Sequence, residues 1–141
     1  LNRHAPQYLP LAAQQFADLA RQSGREAEAV ALLQTSHDRA ASVDVTEALA
    51  SLSPDPQAAR ARYLNHLERE PSLVITSQWL AGETLSDASA QESVKRALDQ
   101  ASGPLKRYRC AACGFEARQH FWQCPGCQAW DSYPARRVEE L

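Results

Sequence analysis

Residues 108–130 read YRCAACGFEARQHFWQCPGCQAW and hold all four cysteines of the chain, as two Cys-x-x-Cys pairs with ten residues between them. A thiolate-bound tetrahedral ion needs four sulfurs converging on one point, about 2.3 Å from it for zinc. One Cys-x-x-Cys turn sets two sulfurs on one side of such a point, and a second turn facing the first completes it. Cys110, Cys113, Cys124 and Cys127 are therefore the expected ligands of one tetrahedral metal ion, zinc or iron, since the ligand set suits both. Disulfides fit less well, because the rest of the chain has no cysteine and carries no secretory mark. A thioredoxin-like redox pair would want one such motif at a helix start in a strand-helix-strand unit, and none is visible.

The neighbouring residues agree with metal knuckles. Gly114 follows the second cysteine, where a left-handed backbone turns N–H groups toward sulfur. Pro125 stiffens the second turn and Gly126 gives its interior freedom. Tyr108, Phe115, Phe121, Trp122 and Trp130 are expected to cover a unit too small to bury much by itself, in preference to stacking on bases. His120, between the pairs, is expected to be a bystander beside four cysteines already in register.

The rest of the 141 residues is of ordinary globular composition, with 23% charged residues and a net charge of -2. Residues 104–141 carry six Lys/Arg against four Asp/Glu, and residues 1–103 carry nine against thirteen. That basic excess, with Lys106, Arg107 and Arg109 beside aromatics, is a small footprint for nucleic acid, so that partner is not expected. No run approaches the eighteen or so apolar residues that cross a membrane. The chain begins at Leu1 and contains no methionine, which reads as the C-terminal piece of something longer.

Residues 1–103 are expected to form antiparallel helical hairpins and residues 104–141 a separate metal-binding domain, a mainly α protein. Leu9, Ala12, Phe16, Leu19 and Ala20 share one helical face, Ser23-Gly24 breaks it, and Ala27, Val30 and Leu33 face inward from the next helix. The pattern Phe16-Ala17, Gly24, Ala29 and Leu33 resembles the tetratricopeptide repeat, in which small residues let paired helices approach. A second unit over residues 44–71 places Ala59, Tyr63 and Pro71 at its small, aromatic and helix-ending positions. There His66 replaces a small residue, and the interval is nearer thirty residues than thirty-four. A third hairpin pairs Leu73–Leu80 with Asp87–Ala101, with Val94, Ala97, Leu98 and Ala101 at helical spacing, Ser86 or Asp87 as cap and Gly103-Pro104 as stop. His4, His37 and His66 have no companion ligand at useful spacing, and Arg60, Arg62 and Arg69 with Glu68 and Glu70 read as a solvated face. Nothing in the helices has the pattern of a catalytic group.

The segments YRCAACGF and WQCPGCQAW resemble rubredoxin and rubredoxin-like zinc ribbons. Placed after tetratricopeptide-like hairpins and the stretch LEREPSL, this short-spaced ribbon resembles the lipopolysaccharide assembly protein B family. That resemblance implies a non-enzymatic regulatory adaptor on the cytoplasmic side of the bacterial inner membrane, anchored by a segment absent from this chain. Its implied partners are the protease FtsH and lipopolysaccharide-synthesis proteins, the lipid A-committing deacetylase being the one degraded. Two departures from rubredoxin stand out: a shorter spacer, and Gln128 where the second knuckle usually has glycine. The second implies fewer backbone hydrogen bonds to sulfur, which counts against the alternative role of iron electron carrier.

Overall fold

The computed structural model describes residues 5–141 and is mostly helical. After a 3₁₀ turn at Pro6–Tyr8, helices α1 (Leu9–Ser23), α2 (Glu26–Arg39), α3 (Val43–Ser51), α4 (Pro56–Arg69), α5 (Leu73–Ala81) and α6 (Ala88–Ser102) follow one another. Several boundaries have a local cause. Gly24 closes α1 in the left-handed conformation at φ 66°; Asp55 accepts from Ala58 N to cap α4, with Pro56 in its first turn; Asp87 accepts from Ser89 N and Ala90 N to cap α6. Short connections pack α1 on α2, α3 on α4 and α5 on α6, and α1 also lies along α3. The first helices of successive pairs start at Leu9, Val43 and Leu73, so the interval near thirty residues holds for the second step and not the first.

Small residues set the main seam. Leu9, Ala13, Ala17, Leu33, Val45, Ala48 and Leu49 form one buried cluster, with Phe16 and Val30 against its edge. The α1 face expected from its largest side chains is thus displaced: Ala13 and Ala17 are buried, and Leu19 is 62% exposed. In α2 the buried residues are Ala29, Leu33 and His37, and Ala27 lies outside. Alanines win because they let α1 and α3 close up, where larger side chains would hold the helices apart. In α6 the spacing of Val94, Ala97, Leu98 and Ala101 is helical as expected, yet Val94, Ala97 and Ala101 stay exposed.

The arginines of α4 are not a solvated face. Arg62 donates to Gln34 of α2; Arg69 donates to Asp38 O at 2.9 Å and reaches His37 Nδ1 at 3.3 Å. Arg60 pairs with Glu83 and lies over the Trp79 ring. The reason is pairing across neighbouring helices, which the charge pattern of one helix cannot reveal. His37 and His66 belong to the core: both are 2% exposed, with ring centroids 5.7 Å apart. Thr46 Oγ1 donates to Ser42 O, so it accepts from His66 Nδ1–H at 2.8 Å. His37 receives Arg69 on Nδ1, which puts its proton on Nε2, and that buried N–H has no partner. His4 lies outside the described residues.

Beyond α6 a 3₁₀ turn at Pro104–Lys106 leads to β1 (Tyr108–Arg109), paired antiparallel with β2 (Glu116–Ala117), Tyr108 opposite Ala117. This ribbon is fastened to the helices from both ends. Leu105 packs on Val43, Val74 and Ile75, while Leu11 of α1 packs on Tyr108 and Tyr133. A final 3₁₀ turn, Val138–Glu140, inserts two carboxylates at helix starts. Glu139 accepts from Ser72 Oγ at 2.7 Å and from Val74 N at the head of α5, and Glu140 accepts from Val43 N at 3.0 Å at the head of α3. Negative charge at unsatisfied helix N–H groups is favourable, so the tail clamps two hairpins at once. Beside it Arg137 donates twice to Asp44, at 2.6 and 2.9 Å, once to Lys106 O, and covers the Tyr108 ring.

Candidate metal centre

The two knuckles are built alike. Gly114 N donates to Cys110 O at 2.9 Å and Gln128 N to Cys124 O at 2.8 Å, so each Cys-x-x-Cys closes on the residue after it. Gly114 sits at φ 77° and Gln128 at φ 61°. Gln128 therefore adopts the left-handed turn that glycine usually supplies. Gly126 N donates to Cys124 Sγ at 3.4 Å, and the Cys127 N–H also points at that sulfur. In the first knuckle the N–H groups of Ala112 and Cys113 point at Cys110. At Gly126 a Cβ would come within 3.4 Å of the Phe115 side chain, close to ordinary van der Waals contact, so space alone does not demand glycine there.

The four sulfurs lie within 4.8 Å of one another. Cys110 and Cys127 Sγ are 3.8 Å apart and Cys113 and Cys124 Sγ 3.7 Å. A tetrahedron with bonds of about 2.3 Å has edges of about 3.8 Å, so the donor set fits one ion. All four cysteines are free thiols, as a metal site requires. Cys110 and Cys124 are buried, and Cys113 and Cys127 face solvent. Either zinc or iron matches this chemistry.

The surroundings prepare the thiolates. Cys110 Sγ donates to Ser132 Oγ at 3.3 Å, and that hydroxyl donates on to Ala129 O; the Ser132 contact, with the neighbouring N–H groups, outweighs burial and holds the Cys110 thiol down to about 6. At Cys113 the Phe115 N–H pulls the other way, but burial and the three facing sulfurs push the thiol up to about 12. Cys124 is drawn down by the N–H groups of Cys127 and Gly126 against burial. Charge crowding of this kind is what a bound cation relieves. Tyr133 donates to Phe115 O at 3.1 Å and lies 3.9 Å from Cys124 Sγ; burial pushes its hydroxyl up to about 12, with Cys124 adding.

All four expected ligands thus come together, and His120 stays outside the cluster, its Nε2 3.0 Å from Tyr133 O. The aromatic cover is only partly as expected. Tyr108 is buried, but Phe115, Trp122 and Trp130 are exposed, Trp130 by 71%. Tyr133 fills the interior instead, a role that the spacing of the cysteines did not signal. Ser132, too, was not anticipated: a small hydroxyl five residues beyond the second Cys-x-x-Cys turn bears no motif, and only the fold brings it to the sulfur of the first.

Residues 108–133 match the family described as rubredoxin metal binding domain. The chain is similar to lipopolysaccharide assembly protein B of Escherichia coli K12, 29% identical over 131 residues that cover 86% of this chain and 33% of that protein. Its counterpart in Haemophilus influenzae is 28% identical over 80 residues, 53% of this chain and 20% of that protein. The chain spans about a third of the length of the first of these curated relatives. The likeness runs through helices and ribbon together, and it is to lipopolysaccharide assembly protein B that this chain, with its rubredoxin-type ribbon, is similar.

Proposed function

We propose that this chain is the partner-holding end of a non-enzymatic adaptor in lipopolysaccharide assembly. The single observation behind this reading is that the similarity to lipopolysaccharide assembly protein B covers hairpins and ribbon alike. The fastening of those two parts by Arg137 and the Glu139–Glu140 clamp supports it, since it offers a partner one composite surface. Tetratricopeptide-like hairpins over residues 1–103 and the metal domain over residues 104–141 are its two halves. Cys110, Cys113, Cys124 and Cys127 hold the ion, which when bound cross-links the ribbon and compensates thiolate charge. The partners are the protease FtsH and the lipid A-committing deacetylase, met at the cytoplasmic face of the inner membrane through an anchor outside this chain.

Capture of partners from native-host membranes tests the idea, with this chain and its Cys124→Ala variant as baits and metal content measured on both. Protease and deacetylase should be retained by the first bait and lost by the second. Equal capture by a metal-free bait would refute the role of the ribbon. The exposure of Cys113 and Cys127, with backbone N–H groups aimed at sulfur in both knuckles, favours iron electron transfer as a second reading. Visible absorbance bleached by dithionite would support it, and a colourless zinc-loaded protein would dismiss it.

A further inference from the structure

A groove runs between the first 3₁₀ turn, the α2–α3 corner and the C-terminal strap. Two adjoining hollows of about 250 and 310 Å³ make it up, sharing Gln7 and Arg136 as walls. The first hollow gathers two guanidinium groups, Arg39 and Arg136, beside Ser42. Among the described residues neither arginine has a carboxylate within 4 Å or a side-chain hydrogen bond, although Arg136 is half-buried. Residues 1–4 are Leu, Asn, Arg and His, so they add no carboxylate either. The nearby Glu140 spends its oxygens on Val43 N and Arg137 N.

Ser42 is the second observation. It is 3% exposed and precedes α3 in the capping position, yet its hydroxyl caps nothing and has no hydrogen-bond partner. A buried hydroxyl without a partner is costly, and Ser42 lies in the wall that also carries the two uncommitted cations. Further along, the groove turns apolar on Tyr8, Pro134 and Ala135 and ends at Asp131, whose carboxylate accepts from Tyr8 at 2.8 Å. The charge is thus segregated: two cations at the α2 end, an apolar floor, and a carboxylate already engaged at the other end.

We infer that this groove receives an acidic, extended segment of a partner protein, its carboxylate held by Arg39 and Arg136, and its apolar residues laid on Tyr8 and Pro134. A planar guanidinium pair suits a carboxylate, and the apolar continuation gives a peptide something that a free anion lacks. The inference rests on the adaptor reading. It is tested without protease or host proteins, so the two can fail separately.

The probe is a short blocked peptide alternating Glu and Leu, titrated into the zinc-loaded chain while backbone amide resonances are followed. Shifts should concentrate at Gln7, Ser42 and Arg136. The Gln/Leu analogue should bind about tenfold more weakly, the loss expected for one charge-assisted contact. Arg39→Gln and Arg136→Gln should each cost a similar factor with an unchanged melting temperature. Equal binding of both peptides, shifts elsewhere on the surface, or inorganic phosphate saturating the same amides with no added affinity for the peptide would each overturn the proposal.

Discussion

The helices and the ribbon solve the same problem by different means. The helices bury a continuous row of Ala13, Ala17, Leu33, Val45 and Leu49, and every apolar group removed from water contributes. The ribbon's own buried cluster is Tyr108, Cys110, Cys124 and Tyr133, two of them cysteines of the four-sulfur cluster that can hold a metal ion. Its sheet is a two-stranded ladder of two residues each, too little to persist alone in water. One region is therefore held by packing and the other by coordination, and a perturbation of either should leave a different remainder.

The largest contrast comes from the metal. Structural zinc contributes about 10–16 kcal/mol of apparent binding energy in small units, so Cys110→Ala or Cys124→Ala should release the ion and unfold the ribbon. Helical circular dichroism should persist while ribbon amides lose dispersion in the nuclear magnetic resonance spectrum. The reciprocal experiment is Leu33→Ala, a fully buried side chain in the helical seam. Its cost of about 2–5 kcal/mol should appear in thermal melting of the helices, with bound metal retained up to the transition. Arg137→Gln probes the junction: Arg137 and Asp44 are 21% and 13% exposed, and leaving Asp44 unpaired should cost about 2–3 kcal/mol. Hydrogen exchange should then quicken on both sides of the contact.

Acidity separates the regions more gently. Burial, with His66 and Arg69 adding, lowers the pKa of His37, and burial lowers that of His66. The unfolded chain takes up those protons first, so stability fully present above about pH 6.5 should be lost as pH falls from there through the lowered folded-state pKa values. Glu47 and Glu140 are pushed up by burial and act in the opposite sense, favouring the folded state as pH falls. The difference between the chain and His37→Gln isolates the histidine part: the melting temperature of the variant should fall less. Smallest is Gln128→Gly. Removing a side chain from φ 61° should stabilise the second knuckle by about 0.5–1 kcal/mol, read as slower metal release to a chelator.

The sequence announced the ribbon and its ligands because coordination imposes spacing, and spacing is written along the chain. It announced the helices through their breaks, Gly24, Asp87 and Gly103-Pro104, each a local backbone requirement. It misled where the cause is tertiary. Leu19 looked buried and Ala13 did not, because size along one helix says nothing of how closely a neighbour approaches. His66 looked like a misfit at a small-residue position, and became a satisfied core group only when Thr46 arrived from another helix. The clamp was invisible for the same reason: Glu139 and Glu140 gain meaning from helix starts far back in the chain.

That clamp makes the ribbon an insertion more than an appendage. The chain leaves the helices after Ser102, folds around the sulfurs, and returns at Val138–Glu140 to the heads of α3 and α5. Closing such a loop costs configurational entropy that grows with its free length. An ion joining Cys110 to Cys127 draws that length in before the tail docks, so loading the metal and seating the tail favour each other. The two parts are linked thermodynamically, and a change at the sulfurs will be felt at helix starts they never touch.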